Sequence, residues 1–236
     1  MIIALWGNGG VGKTSLAVHL AKVLSNKNTV LIISGTMTHC SVRNWFGCVE
    51  SSKSLSKIIR NVDTIEENVE RTMFENIFFT DISLNDSCIA NSKTKDKQVK
   101  SLLRESKKIY DYVIVDCHVS FENTITKNAL LNSDKIVYLL SPSLKSLSFY
   151  KSHKIIFEKL KIDDKTIHVL NKYNKQISPK IIEEKMHLNF LASIKYEKLF
   201  EFNSLHGALL SNNKAKKYYK ELSYIAEELE EYNERE

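Results

Sequence analysis

Glycine accounts for only seven of the 236 residues, and four of the seven stand within six positions: Gly7, Gly9, Gly10 and Gly12. A segment without Cβ atoms can turn its backbone N–H groups to one side, which makes it a candidate anion nest. An apolar run, Ile2 to Trp6, precedes it, and a helical pattern of Leu16, Ala17, Leu20, Ala21 and Leu24 follows. The stretch reads as strand, glycine loop and helix, with the loop at the positive end of the helix dipole.

Two ligand-binding patterns fit this loop. Gly7 to Gly12 satisfies G-x-G-x-x-G, and Gly7 to Thr14 satisfies G-x-x-x-x-G-K-[ST]. The residues around the glycines separate them. Lys13 offers an ammonium for β- and γ-phosphates, and Thr14 offers a hydroxyl for Mg2+. A dinucleotide site needs an acid where the next strand ends, but the strand at 29–33 runs into Ser34-Gly35-Thr36. The chain therefore reads as a P-loop binder of a nucleoside triphosphate. Its phosphate cradle is Gly9, Gly10, Val11, Gly12, Lys13, Thr14 and Ser15.

Beyond the loop, short apolar runs alternate with amphipathic stretches, the pattern of a mostly parallel sheet covered by helices on both faces. Strands are expected near 2–6, 29–33, 77–80, 112–116, 135–140, 166–170 and 190–194. Helices are expected near 13–25, 54–61, 64–72, 96–108, 122–131, 145–160, 178–185 and 213–232, with a polar loop at 85–95. The fold class is thus a three-layer α/β/α sandwich, read as one P-loop domain over 1–236 with an acidic helix at about 213–232. Hydrophobic residues at 43% and charged residues at 26% exclude collagenous and disordered classes, and no apolar run reaches membrane-span length. Cys40, Cys48, Cys88 and Cys117 lie far apart without metal-ligand spacing, so free thiols and a cytoplasmic location are expected.

Two further segments carry chemistry. Tyr112-Val113-Ile114-Val115-Asp116 is an apolar strand ending in a carboxylate, which suits a Walker B strand facing the nucleotide-bound Mg2+. Ile167-His168-Val169-Leu170-Asn171-Lys172 ends a strand in an amide that can read a purine edge, beside a lysine whose aliphatic stem can cover the ring. Asn171 also has a plainer reading as a strand terminator.

Together these segments resemble the ParA/MinD group of deviant Walker A P-loop ATPases. The resemblance rests on Gly9-Gly10-Val11-Gly12-Lys13-Thr14-Ser15, Val30-Leu31-Ile32-Ile33, Asn76-Ile77-Phe78-Phe79, Tyr110 to Asp116, Ser133 to Val137 and Leu170 to Asn174. Ile181-Ile182-Glu183-Glu184, Ile194-Lys195-Tyr196 and Gly207 look nearest the CpaE/TadZ-like branch, which places pilus and secretion machinery. The resemblance implies ATP rather than GTP, Mg2+ held through Thr14 and Asp116, and adenine contacted by Asn171 and Lys172. It also implies a nucleotide-linked homodimer with ATP between the subunits.

The departures bear on chemistry. The group carries a signature lysine at the second loop position, where this chain has Asn8. It also carries a water-positioning aspartate after the second strand, where this chain has Thr36. Lys13, Asp116 and Thr36 remain as candidate catalytic residues, but charge compensation and water alignment are weakened, so slow or negligible ATP turnover is expected. His118 after Asp116 reads as a switch-loop residue or, less simply, as a replacement acid or base.

Lys93, Lys95, Lys97, Lys100, Arg104, Lys107 and Lys108 outnumber Asp96 and Glu105 by five, giving either a solvated helix face or a surface for non-specific DNA. From Glu221 to Glu236 seven glutamates face one arginine, so anionic lipid is disfavoured as a partner of the tail. Its Tyr218, Leu222, Ile225 and Leu229 form an apolar stripe for the domain or a protein partner. Three functions fit: an ATP/ADP switch that positions or recruits an assembly in secretion or partition, a pseudo-ATPase scaffold with structural ATP, and a small-molecule kinase or ligase.

Overall fold

In the computed structural model, residues 1–47, 51–83, 86, 94–174, 176–211 and 214–235 are described. The strands are β1 (Ile2–Gly7), β2 (Val30–Ser34), β3 (Glu70–Arg71), β4 (Ile77–Thr80), β5 (Tyr112–Asp116), β6 (Lys135–Leu140), β7 (Thr166–Tyr173) and β8 (Ala192–Lys195). The helices are α1 (Lys13–Leu24), α2 (Leu55–Arg60), α3 (Ile65–Asn68), α4 (Asp96–Ile109), α5 (Thr124–Asn132), α6 (Leu144–Leu160), α7 (Pro179–Met186), α8 (Leu199–Leu205) and α9 (Lys216–Arg235).

The strands form one sheet in the order β3-β4-β2-β5-β1-β6-β7-β8, parallel throughout except for β3 against β4. The expected α/β/α class is observed. All six residues of β1 are buried, as a strand covered on both faces must be. Ile3 and Leu5 face one core with α1 and α9, while Ile2, Ala4 and Trp6 face the other with α4, α5 and α6. The chain leaves β1 toward β2 on one side and returns to β6 on the other, so the crevice beyond the strand ends opens at this switch point. Register then aligns the site: Asp116 pairs level with Leu5 and with Ser34, and Gly7 with Leu139.

Helix α9 docks on α1 through the stripe that was expected to be apolar, with Leu222, Ile225 and Leu229 fully buried. The helix expected at 64–72 stops at Asn68 instead. Glu70 and Arg71 pair with Phe79 and Phe78 as an antiparallel edge, and Glu70 reaches the buried Arg43. Tertiary pairing overrides local helical pattern there. Helix α8 was not expected at all. The polar stretch 85–95 lies mostly outside the described residues, as do Cys48, Cys88 and Lys93; Cys40 and Cys117 are buried free thiols. Among the described residues no helix is long and apolar enough to cross a membrane.

His19 links α1 to the segment before α9. Its Nδ1–H donates to the Ser15 carbonyl at 2.7 Å and its Nε2 accepts from the Leu210 N–H at 3.0 Å, which fixes the neutral tautomer. Burial lowers its pKa to about 4. Between pH 6.5 and 4 the unfolded chain takes up a proton there and the folded chain does not, so stability present above pH 6.5 is lost on acidification. The stability advantage of wild type over His19→Gln is expected to shrink by about 3 kcal/mol between pH 7.5 and 4. Urea titrations at both pH values measure it, and a pH-independent difference would contradict the assignment.

Candidate nucleotide-binding site

The carbonyls of the loop between β1 and α1 are all occupied by donors. Gly7 and Asn8 carbonyls accept from Lys13 Nζ at 3.1 and 3.3 Å, and the Gly9 carbonyl accepts from Asn8 Nδ2 at 3.0 Å. The Gly10 carbonyl accepts from Lys172 Nζ at 2.7 Å and the Val11 carbonyl from Asn171 Nδ2 at 2.8 Å. The Gly12 carbonyl begins the helix by accepting from Leu16 N–H at 2.9 Å. Every carbonyl from Gly7 to Gly12 thus has a donor, whereas the N–H groups of Gly9, Gly10, Gly12, Lys13 and Thr14 find no acceptor among the described residues. Unpaired donors gathered at a helix N-terminus are what binds phosphate.

Gly12 permits this arrangement. It has a φ of +96°, and a Cβ there would lie 2.6 Å from Asn171 Nδ2. Lys172 adopts the left-handed region as well, at φ +59°, and its ammonium reaches the Gly10 carbonyl of the loop.

Thr14 Oγ1 donates to Asp116 Oδ2 at 2.6 Å, so the two expected metal ligands meet across 102 residues of sequence. Burial pushes Asp116 up to about 6, opposed by the Thr14 hydroxyl and the Lys13 ammonium. Burial likewise lowers Lys13, with Asp116 opposing. Asp116 Oδ1 is buried and has no partner among the described residues. An orphaned carboxylate oxygen beside a hydroxyl fits Mg2+, which takes few protein ligands and completes its shell with water and phosphate. No cluster of three or more His, Cys, Asp or Glu able to cage a metal is found among the described residues.

Two loops close over Asp116. Gly35 N–H donates to the Asp116 carbonyl at 2.8 Å, and Asn123 Nδ2 donates to the Gly35 carbonyl at 3.1 Å. A Cβ on Gly35 would lie 2.7 Å from that Asp116 carbonyl, so close approach requires glycine here. Thr36, buried next to it, has its N–H turned to Ser34 Oγ at 3.3 Å. His118 is half-buried, its Nδ1 accepts from Ser120 N–H at 3.1 Å, and its carbonyl accepts from Trp6 Nε1 at 3.0 Å.

Beside Gly12 and Ser15 lies an open cleft of about 140 Å³, bounded by Asn171, Lys172, Glu197, Phe200 and Tyr218. Sequence reasoning identified Asn171 and Lys172 but missed Glu197 and Phe200, which come from the β8 to α8 segment. Asn171 sits at the cleft with its Oδ1 accepting from Lys172 N–H at 2.9 Å and one amide proton on the loop. Its other amide proton remains for a ligand.

Comparison with known proteins agrees with the fold. A family model described as AAA domain matches residues 1–151. An uncharacterised ATP-binding protein of Methanocaldococcus jannaschii is 22% identical over 253 residues, covering 97% of this chain and 98% of that one. The septum site-determining protein MinD of Pyrococcus horikoshii, solved with Mg-ADP, superposes with a TM-score of 0.80 at 19% identity, covering 97% of this chain and 95% of that one. A ParA family ATPase of Chlorobium tepidum superposes with a TM-score of 0.80 at 19% identity, covering 93% and 96%.

Proposed function

This chain belongs to the AAA domain family, and from that premise we propose that it binds Mg-ATP and acts as a ParA/MinD-like switch that positions or recruits a larger assembly. The loop carries the reading: its carbonyls are all engaged, those of Gly10 and Val11 from β7, and its N–H groups are left for phosphate. Thr14 and Asp116 hold Mg2+, and the metal when bound offsets phosphate charge. Lys13 moves from the Gly7 and Asn8 carbonyls to the phosphates, and the cleft beside Gly12 takes adenine under Asn171 and Lys172. Thr36 and His118 lie on the two loops tied to Asp116, so the terminal phosphate is sensed there.

Hydrolysis is slow in this reading. Asn8 is buried and turned onto Gly9, and it brings no charge to the transferring phosphoryl group. Thr36 supplies no carboxylate to align water. ATP binding then shifts a monomer–homodimer balance, and a protein of a secretion, pilus or partition system reads the dimer, the CpaE/TadZ-like branch being the nearest pattern. Non-specific DNA is a weaker partner, because Arg104 and Lys108 of the basic face already pair with Glu105 and Lys107 with Asp134.

Calorimetry with Mg-ATP and light scattering in ATP, in ADP and without nucleotide test the reading. Heat with ATP and a mass that rises only in ATP support it. No heat with ATP defeats it, and heat with unchanged mass favours a scaffold that holds ATP structurally.

A further inference from the structure

Lysines from three separate elements meet the phosphate loop. Lys13 of α1 and Lys172 of β7 both engage loop carbonyls. The third is Lys145, in the first turn of α6. A Cβ built on Gly9 would lie 4.0 Å from Lys145 Nζ, so this ammonium stands over the loop. Lys145 is exposed, and its ammonium has no hydrogen-bond acceptor or carboxylate partner among the described residues. The placement follows from the sheet: β6 runs beside β1 with Leu139 level with Gly7, so the segment leaving β6 emerges next to the loop leaving β1. Ser143 caps α6 by accepting from Ser146 N–H at 3.2 Å, and the positive end of this 17-residue helix lies on the same side as Lys145.

The direction of a bound nucleotide decides what Lys145 meets. The base cleft borders Gly12 and Ser15, at the helix end of the loop. A polyphosphate lying along the loop from that end places its terminal group toward Gly9 and Asn8. Asn8 is neutral, and its Nδ2 is turned onto the Gly9 carbonyl. The charge that a triphosphate adds over a diphosphate therefore arrives where Lys145 is the cation without a partner.

We propose that Lys145 is a phosphate-binding residue that reaches the terminal phosphate from α6 and supplies the positive charge absent at Asn8, so that the site prefers a triphosphate to a diphosphate. This rests on the nucleotide reading above and names the group that discriminates ATP from ADP within it. A single ammonium near a partly exposed phosphate oxygen acts at short range and is weakened by salt.

The test is calorimetry of wild type, Lys145→Ala, Lys145→Glu and Lys145→Arg with Mg-ATP and with Mg-ADP at low ionic strength. Lys145→Ala is expected to weaken ATP about tenfold and ADP less than about twofold, with Lys145→Glu weaker still for ATP and Lys145→Arg near wild type. Melting without nucleotide should be unchanged, because the side chain is exposed. Equal effects on ATP and ADP, no effect on either, or a series that ignores charge overturns the proposal while leaving the nucleotide reading in place. Absence of ATP binding by the wild type overturns that reading itself.

Discussion

Lys13→Ala is expected to lower Mg-ATP affinity by about 100-fold or more, since a charge-assisted bond to phosphate contributes about 1.5–3 kcal/mol and this residue reaches two phosphate groups. Two observations set the size of the effect. The ammonium is held beside the loop by the Gly7 and Asn8 carbonyls, 3.1 and 3.3 Å away, so little side-chain freedom remains to be lost on binding. Burial disfavours its charged form, and the Asp116 carboxylate opposes that loss, which keeps an anion partner energetically attractive. Lys13→Arg should not rescue binding, because a planar fork replaces a point charge in a loop closed around an ammonium. Calorimetry measures both variants, with melting as the control for folding. An Lys13→Ala protein that binds within threefold of wild type would remove the loop from the proposed site.

Arg43→Ala is expected to cost about 3 kcal/mol of stability, the lower end of the range for breaking a buried ion pair. Arg43 is 1% exposed; it donates from Nη1 to Glu70 at 3.1 Å and from Nη2 to the Lys53 carbonyl at 3.2 Å, with its guanidinium 5.5 Å from the Phe79 ring centre. Its backbone N–H is held by Asp81 Oδ2 at 3.0 Å, beside Val42 N–H at 2.8 Å. Removing the guanidinium leaves Glu70 without its partner and opens a cavity against Phe79. Arg43→Met fills that cavity and should cost less, since it recovers the packing against Phe79 even though Glu70 still loses its partner. Urea unfolding of the two variants measures the contrast. Equal losses would mean that Arg43 acts through its charge and hydrogen bonds alone, with no contribution from volume.

Much of the site was legible locally. Gly7 to Thr14 lies in one stretch, so loop, lysine and hydroxyl could be read together, and Asp116 showed itself as the only acid in an otherwise apolar strand. The short strand β3 and the cleft beside Gly12 were not legible in the same way. Glu70 leaves the helical pattern because it pairs with Phe79 and with Arg43, 27 residues away. Glu197 and Phe200 belong to a short segment with no period of its own, and they gain a role only where α8 and α9 pass beside Gly12. Asn171 was read as a base contact, and what the structure shows of it is a brace on the Val11 carbonyl across 160 residues.

The sequence by itself determined that the chain makes a glycine-rich loop between a buried strand and a helix, followed by further apolar strands. That chemistry is carried by neighbours in the chain and by periodicity, which residues express without knowing their distant surroundings. Only the tertiary structure decided that Lys172 and Asn171 turn the loop carbonyls outward, that Thr14 meets Asp116, and that Lys145 stands over Gly9. Those contacts depend on the order β5-β1-β6-β7, and strand order is set by how two separate cores pack rather than by any local run of residues.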